Sequence, residues 1–575
     1  MLGLFKNLKP YTWSLIAVVI FLFAQSLAEL YLPTLMADVV NKGMMQGNIS
    51  YIWKFGSFML LVALGSTVCS IISSYLSSII GMGFGRDTRE RVFSHVESYS
   101  LHEFDKLGTA SLITRTTNDI TQVQTVLVMG LRFMVNAPIM CIGGIIMAYL
   151  MDKELTLILA VVIPLMLIFI LGIARFIVPL FKAIQRKLDK VNLVLRENLT
   201  GIRVIRAFNR LSRENERFRQ ANRDLTDTTI KVNKIMAAMH PLMMIFMNLT
   251  SISIIWFGGL RISQEQMQIG DMMAFLQYAM QIMFALIMVT FMFVMLPRAQ
   301  ASAIRINEVL SMEPEILDPN ETVQTYSKRG QVEFQDVTFS YPGAEEPVIN
   351  NITFSVYPGE VTAIIGGTGS GKSTLISLIP RFYDVDSGAV LVDGVDVRHM
   401  TQKDLRARIG FVPQTPVLFS GTIAENIRYG KMDASDDEVM HAAQIAQASQ
   451  FITEMKDGYD SIVSQAGTNL SGGQKQRLSI ARALVRKAGI YILDDSFSAL
   501  DFKTDARLRA ALKEETSNST VIIVAQRVST VIDADRIIVM DEGRVVGIGR
   551  HRELLHSNQV YREIVSSQLS EEEIA

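Results

Sequence analysis

Apolar runs of membrane length recur six times before residue 300, at roughly Trp13–Val40, Phe55–Gly81, Val128–Leu150, Leu155–Phe181, Ile235–Leu260 and Met272–Leu296. About 20 apolar residues suffice for a helix to cross a bilayer. After Pro297 the pattern changes to short β-rich runs, turn dipeptides and charged helices, with no further run long enough to span. The pattern predicts an α-helical membrane domain of six transmembrane helices over residues 1–310, a linker over 311–328 and an α/β domain over 329–575.

Loop charge sets the orientation. Between the second and third runs lie Arg86, Arg89, Arg91, Lys106 and Arg115, and between the fourth and fifth lie fourteen Lys or Arg residues from Lys182 to Lys234. The alternate loops carry only Lys42 and Lys54, Lys153, and Arg261. The positive-inside rule then puts the two long loops and both termini in the cytoplasm. Ile184, Leu188, Val191 and Leu195 keep helical spacing in the second long loop, so helices are expected to continue beyond the bilayer. Leu2, Leu4, Phe5 and Leu8 beside Lys6 and Lys9 suggest an interfacial helix ahead of Pro10.

Composition agrees: 49% of residues are hydrophobic and 19% charged, against a globular norm of roughly 25% charged. Basic and acidic residues balance at 55 to 56, so no global basic field argues for nucleic acid. Cys69 and Cys141, both in apolar runs, cannot make a disulfide framework or a four-ligand metal site.

The soluble half carries chemistry. Gly366-Gly367-Thr368-Gly369-Ser370-Gly371-Lys372-Ser373 fits the phosphate-loop pattern, with the apolar strand Val361–Ile365 before it and a helix-like run, Leu375–Ile379, after it. Glycines let backbone N–H groups curl around phosphate at the positive end of a helix. Lys372 is placed to reach the β/γ-phosphates and the Ser373 hydroxyl to ligate Mg²⁺. A second strand, Ile490–Leu493, ends in Asp494-Asp495, where a Mg²⁺-organising carboxylate belongs. Between them Ser471-Gly472-Gly473-Gln474 opens a helical stretch over Lys475–Arg486, a second set of backbone donors suited to an anion.

Taken in order, the phosphate loop, Gln414 in "VPQ", "LSGGQ", "LDD" and "SALD" resemble the nucleotide-binding domain of ABC transporters. With six spans ahead of it, and with "RTTND" (Arg115–Asp119) and "ENLTGIRVIRAF" (Glu197–Phe208), the whole chain resembles an ABC exporter half-transporter. The resemblance implies ATP and Mg²⁺ as cofactors. Tyr341 would stack on adenine, Thr374 would join the phosphate loop's contacts, and Gln414 would touch Mg²⁺ and relay nucleotide state. Ser471–Gln474 would bind the γ-phosphate held by a partner subunit, and Asp501 would cross the dimer interface. Segments near Phe104–Asp119 and Phe208–Phe218 would be coupling helices.

Two positions depart from the family. It normally has Glu where this chain has Asp495, and a switch His where Val521–Ala525 leads to Gln526. Asp is one methylene shorter, a withdrawal of roughly 1–1.5 Å that can cost about a hundredfold in rate. Gln can donate a hydrogen bond but cannot carry charge or shuttle a proton. Ahead of the signature, Gln465 stands where Glu is usual. This combination resembles the degenerate-site subunit of bacterial heterodimeric multidrug ABC exporters. It implies a second half-transporter carrying the missing Glu and His, a multi-pass location in the cytoplasmic membrane, and weak hydrolysis at this chain's own site.

Cargo is expected to be hydrophobic or amphipathic. Spans five and six hold twelve methionines, interleaved with aromatics such as Phe246, Phe284 and Phe291, and flexible thioethers suit a permissive surface. Glu29, with Gln25 a turn earlier, is an acid inside an apolar run and could attract cationic amphiphiles. Gln277, Gln281 and His240 are further cavity candidates. A dedicated peptide or lipid exporter, and an ATP-sensing subunit that only gates its partner, are the alternatives.

Overall fold

The computed structural model describes residues 6–319, 321 and 329–569. Residues 320 and 322–328 of the 311–328 linker and the first five residues, which held most of the interfacial helix, therefore lie outside the described residues. By internal contacts these residues form two units: one from the start of the chain to Glu97 plus Thr109–Met312, the other Ser98–Gly108 plus the chain from Glu313 onward.

The first unit is built on α1 (Thr12–Asp38), α2 (Ile49–Glu97), α4 (Ile120–Met151), α5 (Thr156–Thr200), α6 (Leu211–Ser263) and α7 (Ile269–Ser311); α3 (Leu101–Leu107) belongs to the second unit. Among the described residues six helices are long and apolar enough to cross a membrane. The 49 residues of α2 make a helix about 73 Å long, well beyond a hydrocarbon core of about 30 Å. The long loops are thus continuations of the spans, as the spacing of Ile184, Leu188, Val191 and Leu195 in α5 predicted. Phe275, Tyr278 and Ile282 of α7 pack with Leu30 of α1 and Met140 and Ala148 of α4 in this unit's core. Lys6–Tyr11 forms a 3₁₀ turn that runs through Pro10 rather than stopping ahead of it.

Leu101–Leu107 (α3) is closed by Gly108 at φ +73°, and a short helix over Ile202–Ala207 is followed by the turn Phe208–Arg210 before α6. A continuous 3.6-residue pattern runs through both places, so periodicity alone could not find the breaks.

The second unit holds β1 (Val332–Phe339), β2 (Ile349–Val356), β3 (Val361–Gly366), β4 (Ser387–Val392), β5 (Val395–Asp396), β6 (Ile409–Val412), β7 (Ile490–Asp494), β8 (Thr520–Val524), β9 (Arg536–Asp541) and β10 (Arg544–Gly549). One sheet has order β2-β1-β4-β5 and is antiparallel. A second has order β10-β9-β3-β8-β7-β6, parallel from β9 to β6 with β10 antiparallel at the edge, and Gly421–Thr422 pairs with Ile462–Val463 separately. β7 and β8 are buried along their whole length, as parallel strands covered on both faces are. Ile364, Ile492 and Ile522 face a core with Phe334 and Ile352 of the antiparallel sheet, while Ala363, Leu493 and Ile523 face the helical side. Parallel pairing of β3, β8 and β7 brings the phosphate loop and Asp494 to the same edge.

Candidate nucleotide and cargo sites

The phosphate loop joins β3 to α8 (Lys372–Leu378). Gly369 and Gly371 sit at φ +85° and +91°, where a side chain is strained. A Cβ on Gly366 would meet the Met540 carbonyl at 2.2 Å, so the loop's path requires glycine there for space. Lys372 is buried, and its Nζ donates to the carbonyls of Gly366 at 2.9 Å and Gly367 at 2.7 Å. Burial pushes its pKa down, against the pull of Asp494 and Asp495.

Ser373 Oγ donates to Asp494 Oδ1 at 3.1 Å, which brings together the hydroxyl and carboxylate expected to hold Mg²⁺. Burial raises the Asp494 pKa and the Asp495 charge adds to it, while the Ser373 hydrogen bond opposes both. Asp495 takes φ +43°, and its N–H donates to the Val524 carbonyl of β8. Burial raises its pKa too, opposed by hydrogen bonds from Ser498 and Gln414. Gln414 thus lies beside Asp495, the neighbour of the Asp494 carboxylate. A hydroxyl, a carboxylate and an amide on one loop cradle fit a Mg²⁺ that also binds phosphate oxygens. Among the described residues no cluster of three or more His, Cys, Asp or Glu could hold a metal without such a ligand.

Tyr341 donates to or accepts from Thr374 Oγ1 at 3.0 Å and stands edge-on to Tyr383. Its ring therefore flanks the helix that follows the loop. Gln526 is exposed just after β8, its carbonyl accepting from Gln568 Nε2. Ser471 caps α9 (Gly472–Leu484): its hydroxyl accepts from the Gln474 N–H, and Gln474 Oε1 accepts from the Ser471 N–H. Gly473 packs against the Ala499 carbonyl, and Asp501 caps α10 (Phe502–Glu515) by accepting from the Thr504 N–H. The signature is thus a helix start, as its sequence suggested, and Asp501 is one as well.

A model of the ABC transporter transmembrane region matches residues 15–286. A second model, described as ABC transporter, matches residues 349–498. An uncharacterized ABC transporter ATP-binding protein of Mycobacterium tuberculosis is 42% identical over 98% of this chain and 97% of its own length. The chain belongs to the ABC transporter family. An ATP-dependent lipid A-core flippase of Syntrophus aciditrophicus is 32% identical over 90% of this chain and 86% of its own. A bacterial Atm1-family ABC exporter solved with ATP bound is 27% identical, with TM-score 0.80, covering 98% of this chain and 99% of that one. This ABC exporter half-transporter joins a six-helix membrane domain to an ABC ATPase, and it is an ATP-driven exporter.

In the exporter's membrane unit, Gln25, Glu29 and Gln281 come together. Gln25 Nε2 donates to Glu29 Oε1 at 2.9 Å and Gln281 Nε2 to the Glu29 carbonyl at 3.3 Å. Gln277 is exposed on α7, one turn from Gln281, and the His240 side chain lies outside the described ones. Met243 and Met283 are buried in the core, whereas Met244, Met288 and Phe284 are exposed, so the methionines do not form one face.

Sequence reasoning passed over several polar contacts. Ser26 of α1 meets Asn136 of α4 at 3.1 Å, and Tyr278 bridges Thr34 and the Leu30 carbonyl. Asp119 in a π-turn over Arg115–Asp119 takes bonds from Ser302 and Arg305 of α7. Isolated polar residues in apolar runs were the available signal.

Proposed function

We propose that this chain is the degenerate-site half of a heterodimeric exporter of hydrophobic or amphipathic compounds, multidrug in type. Asp495 and Gln526 carry the reading: they alter the two hydrolytic positions, while the Ser373–Asp494 pair and the Lys372 loop around them are intact. Lys372 and the loop's N–H groups would hold the phosphates, and Ser373, Asp494 and Gln414 would hold Mg²⁺. When bound, that Mg²⁺ neutralises charge shared between the β- and γ-phosphates. The Asp495 carboxylate is tied to Gln414 and stops a methylene short of where a glutamate would orient the attacking water. Gln526 supplies no proton or positive charge. ATP is then retained here, while Ser471–Gln474 completes the partner's competent site.

Steady-state ATPase of the chain alone in lipid, beside Asp495→Glu/Gln526→His, tests this. Near-zero turnover that the double change raises by about a hundredfold supports it. Brisk turnover by the unaltered chain makes Asp495 a working base in a homodimer and overturns it. The flippase among the relatives favours a second reading in which the cargo is a lipid.

A further inference from the structure

We propose that the seam between α1 and α7 contains a mid-membrane site for the protonated amine of an amphipathic cargo, a proposal that rests on the exporter reading above. The two amides fix the argument. A carboxylate and a carbonyl only accept hydrogen bonds, so Gln25 and Gln281, both bonded to Glu29, must each turn their nitrogen towards it. Their oxygens are left over. Gln25 Oε1 and Gln281 Oε1 are both buried and have no hydrogen-bond partner, and Gln25 as a whole is only 8% exposed. Buried acceptors without donors carry a desolvation cost that a bound donor would relieve.

The site therefore offers acceptors alone: two amide oxygens and the Glu29 carboxylate, whose Oε2 takes no proton from another described residue. A primary ammonium brings three N–H donors and the matching charge. An alcohol brings one donor and no charge, a trimethylammonium brings charge without a donor, and an anion is repelled.

Depth also fits. Asn41 of the first turn outside α1 bonds Asp271 and the Gly270 N–H of α7, marking a common outer level. Glu29 lies twelve residues below Asn41 and Gln281 ten below Asp271, about 18 and 15 Å down at the helical rise. Both are near the middle of a hydrocarbon core of about 30 Å. Arg132 and Arg175 lie nineteen residues from their helices' outer ends at Met151 and Thr156. At about 28 Å of depth they are near the inner boundary, a different level from Glu29. Above the site, Tyr278 donates to the Leu30 carbonyl at 2.8 Å and zips the seam shut. Phe284, one helical step from Gln281 and 55% exposed, offers the cargo's tail an apolar contact.

The test uses the full chain in lipid nanodiscs and a long-chain diamine dansylated at one end, its binding read by fluorescence anisotropy. Counterparts of the same chain ending in an alcohol, a trimethylammonium or a sulfonate complete the series. Binding of a fluorescent ATP analogue shows that each variant is folded. The expected result is that the amine binds at least tenfold more tightly than the other three. Glu29→Gln and Gln281→Leu should each remove most of that preference, and Glu29→Asp should keep part of it. Equal binding of amine and alcohol, tighter binding of the sulfonate, or a preference that survives Glu29→Gln overturns the site. Uptake into everted vesicles of the native cells separates the two readings. Amine binding that needs Glu29 without ATP-driven uptake leaves the site standing and removes the amphiphile-export reading; uptake indifferent to Glu29 does the reverse.

Discussion

Single side chains decide whether this chain binds nucleotide and whether it turns it over. Lys372 has its ammonium held by the Gly366 and Gly367 carbonyls in a buried loop. Lys372→Ala should lower binding of a photoreactive ATP analogue on this chain by more than tenfold while the protein stays folded. Glu103 shows a charge used for structure. It is 4% exposed and, although burial opposes its ionisation, bonds from Ser100 and the Glu315 N–H hold its pKa below the ordinary 4.5. A lowered folded pKa means the stabilisation is complete above about pH 4.5 and is lost as pH falls through the folded value. Melting curves should show Glu103→Gln below the parent at neutral pH, and the gap should close on acidification. The motif residues were legible because their chemistry demands fixed spacing. The Glu103–Glu315 bond was not, since its partners lie 212 residues apart and neither belongs to a spacing rule.

At the level of elements, spans and strands followed the sequence and the joints between them did not. All six apolar runs became helices and the strand before the phosphate loop appeared where expected, because burial dictates their periods. Short helices of six or seven residues such as Leu101–Leu107 and Ile202–Ala207 are set by contacts and by turns such as Gly108, which local pattern does not encode. π-turns were equally invisible. The one over Arg115–Asp119 aims Asp119 at Arg305 and Arg115 at Glu308, tying the entry to α4 to the cytoplasmic part of α7. Asp119 is 2% exposed and Ser302 3%, so removing the carboxylate leaves the Ser302 hydroxyl unmatched, while the half-exposed Arg305 can turn to water. Asp119→Ala should cost on the order of 1–2 kcal/mol. A drop in the melting temperature of the detergent-solubilised protein, absent for an exposed control such as Glu216→Ala, checks this.

For the whole molecule, the six-helix plan and the ATPase architecture were both readable, whereas cargo and partner depend on contacts with other molecules. Membrane orientation is directly measurable. Asn48 and Asn209 are exposed at opposite ends of the helical unit's loops, one in a charge-poor turn and one in the charge-rich segment. With Cys69 and Cys141 replaced, a cysteine at Asn48 should react with a membrane-impermeant maleimide added to intact cells. One at Asn209 should react only after permeabilisation. Labelling in the opposite order would reverse the assignment of both long loops.

Ser98–Gly108 folds with a domain that is mostly made much later. A ribosome adding 5–20 residues per second emits Glu315 roughly 10–40 s after Glu103. During that interval the spans on either side can insert, but the short helix between them has nothing to rest on, and its buried acid stays wet. Biogenesis thus contains a waiting period that ends only when the second half of the chain arrives. A nascent chain stalled before that point carries an uncovered segment that chaperones and proteases can read as unfinished.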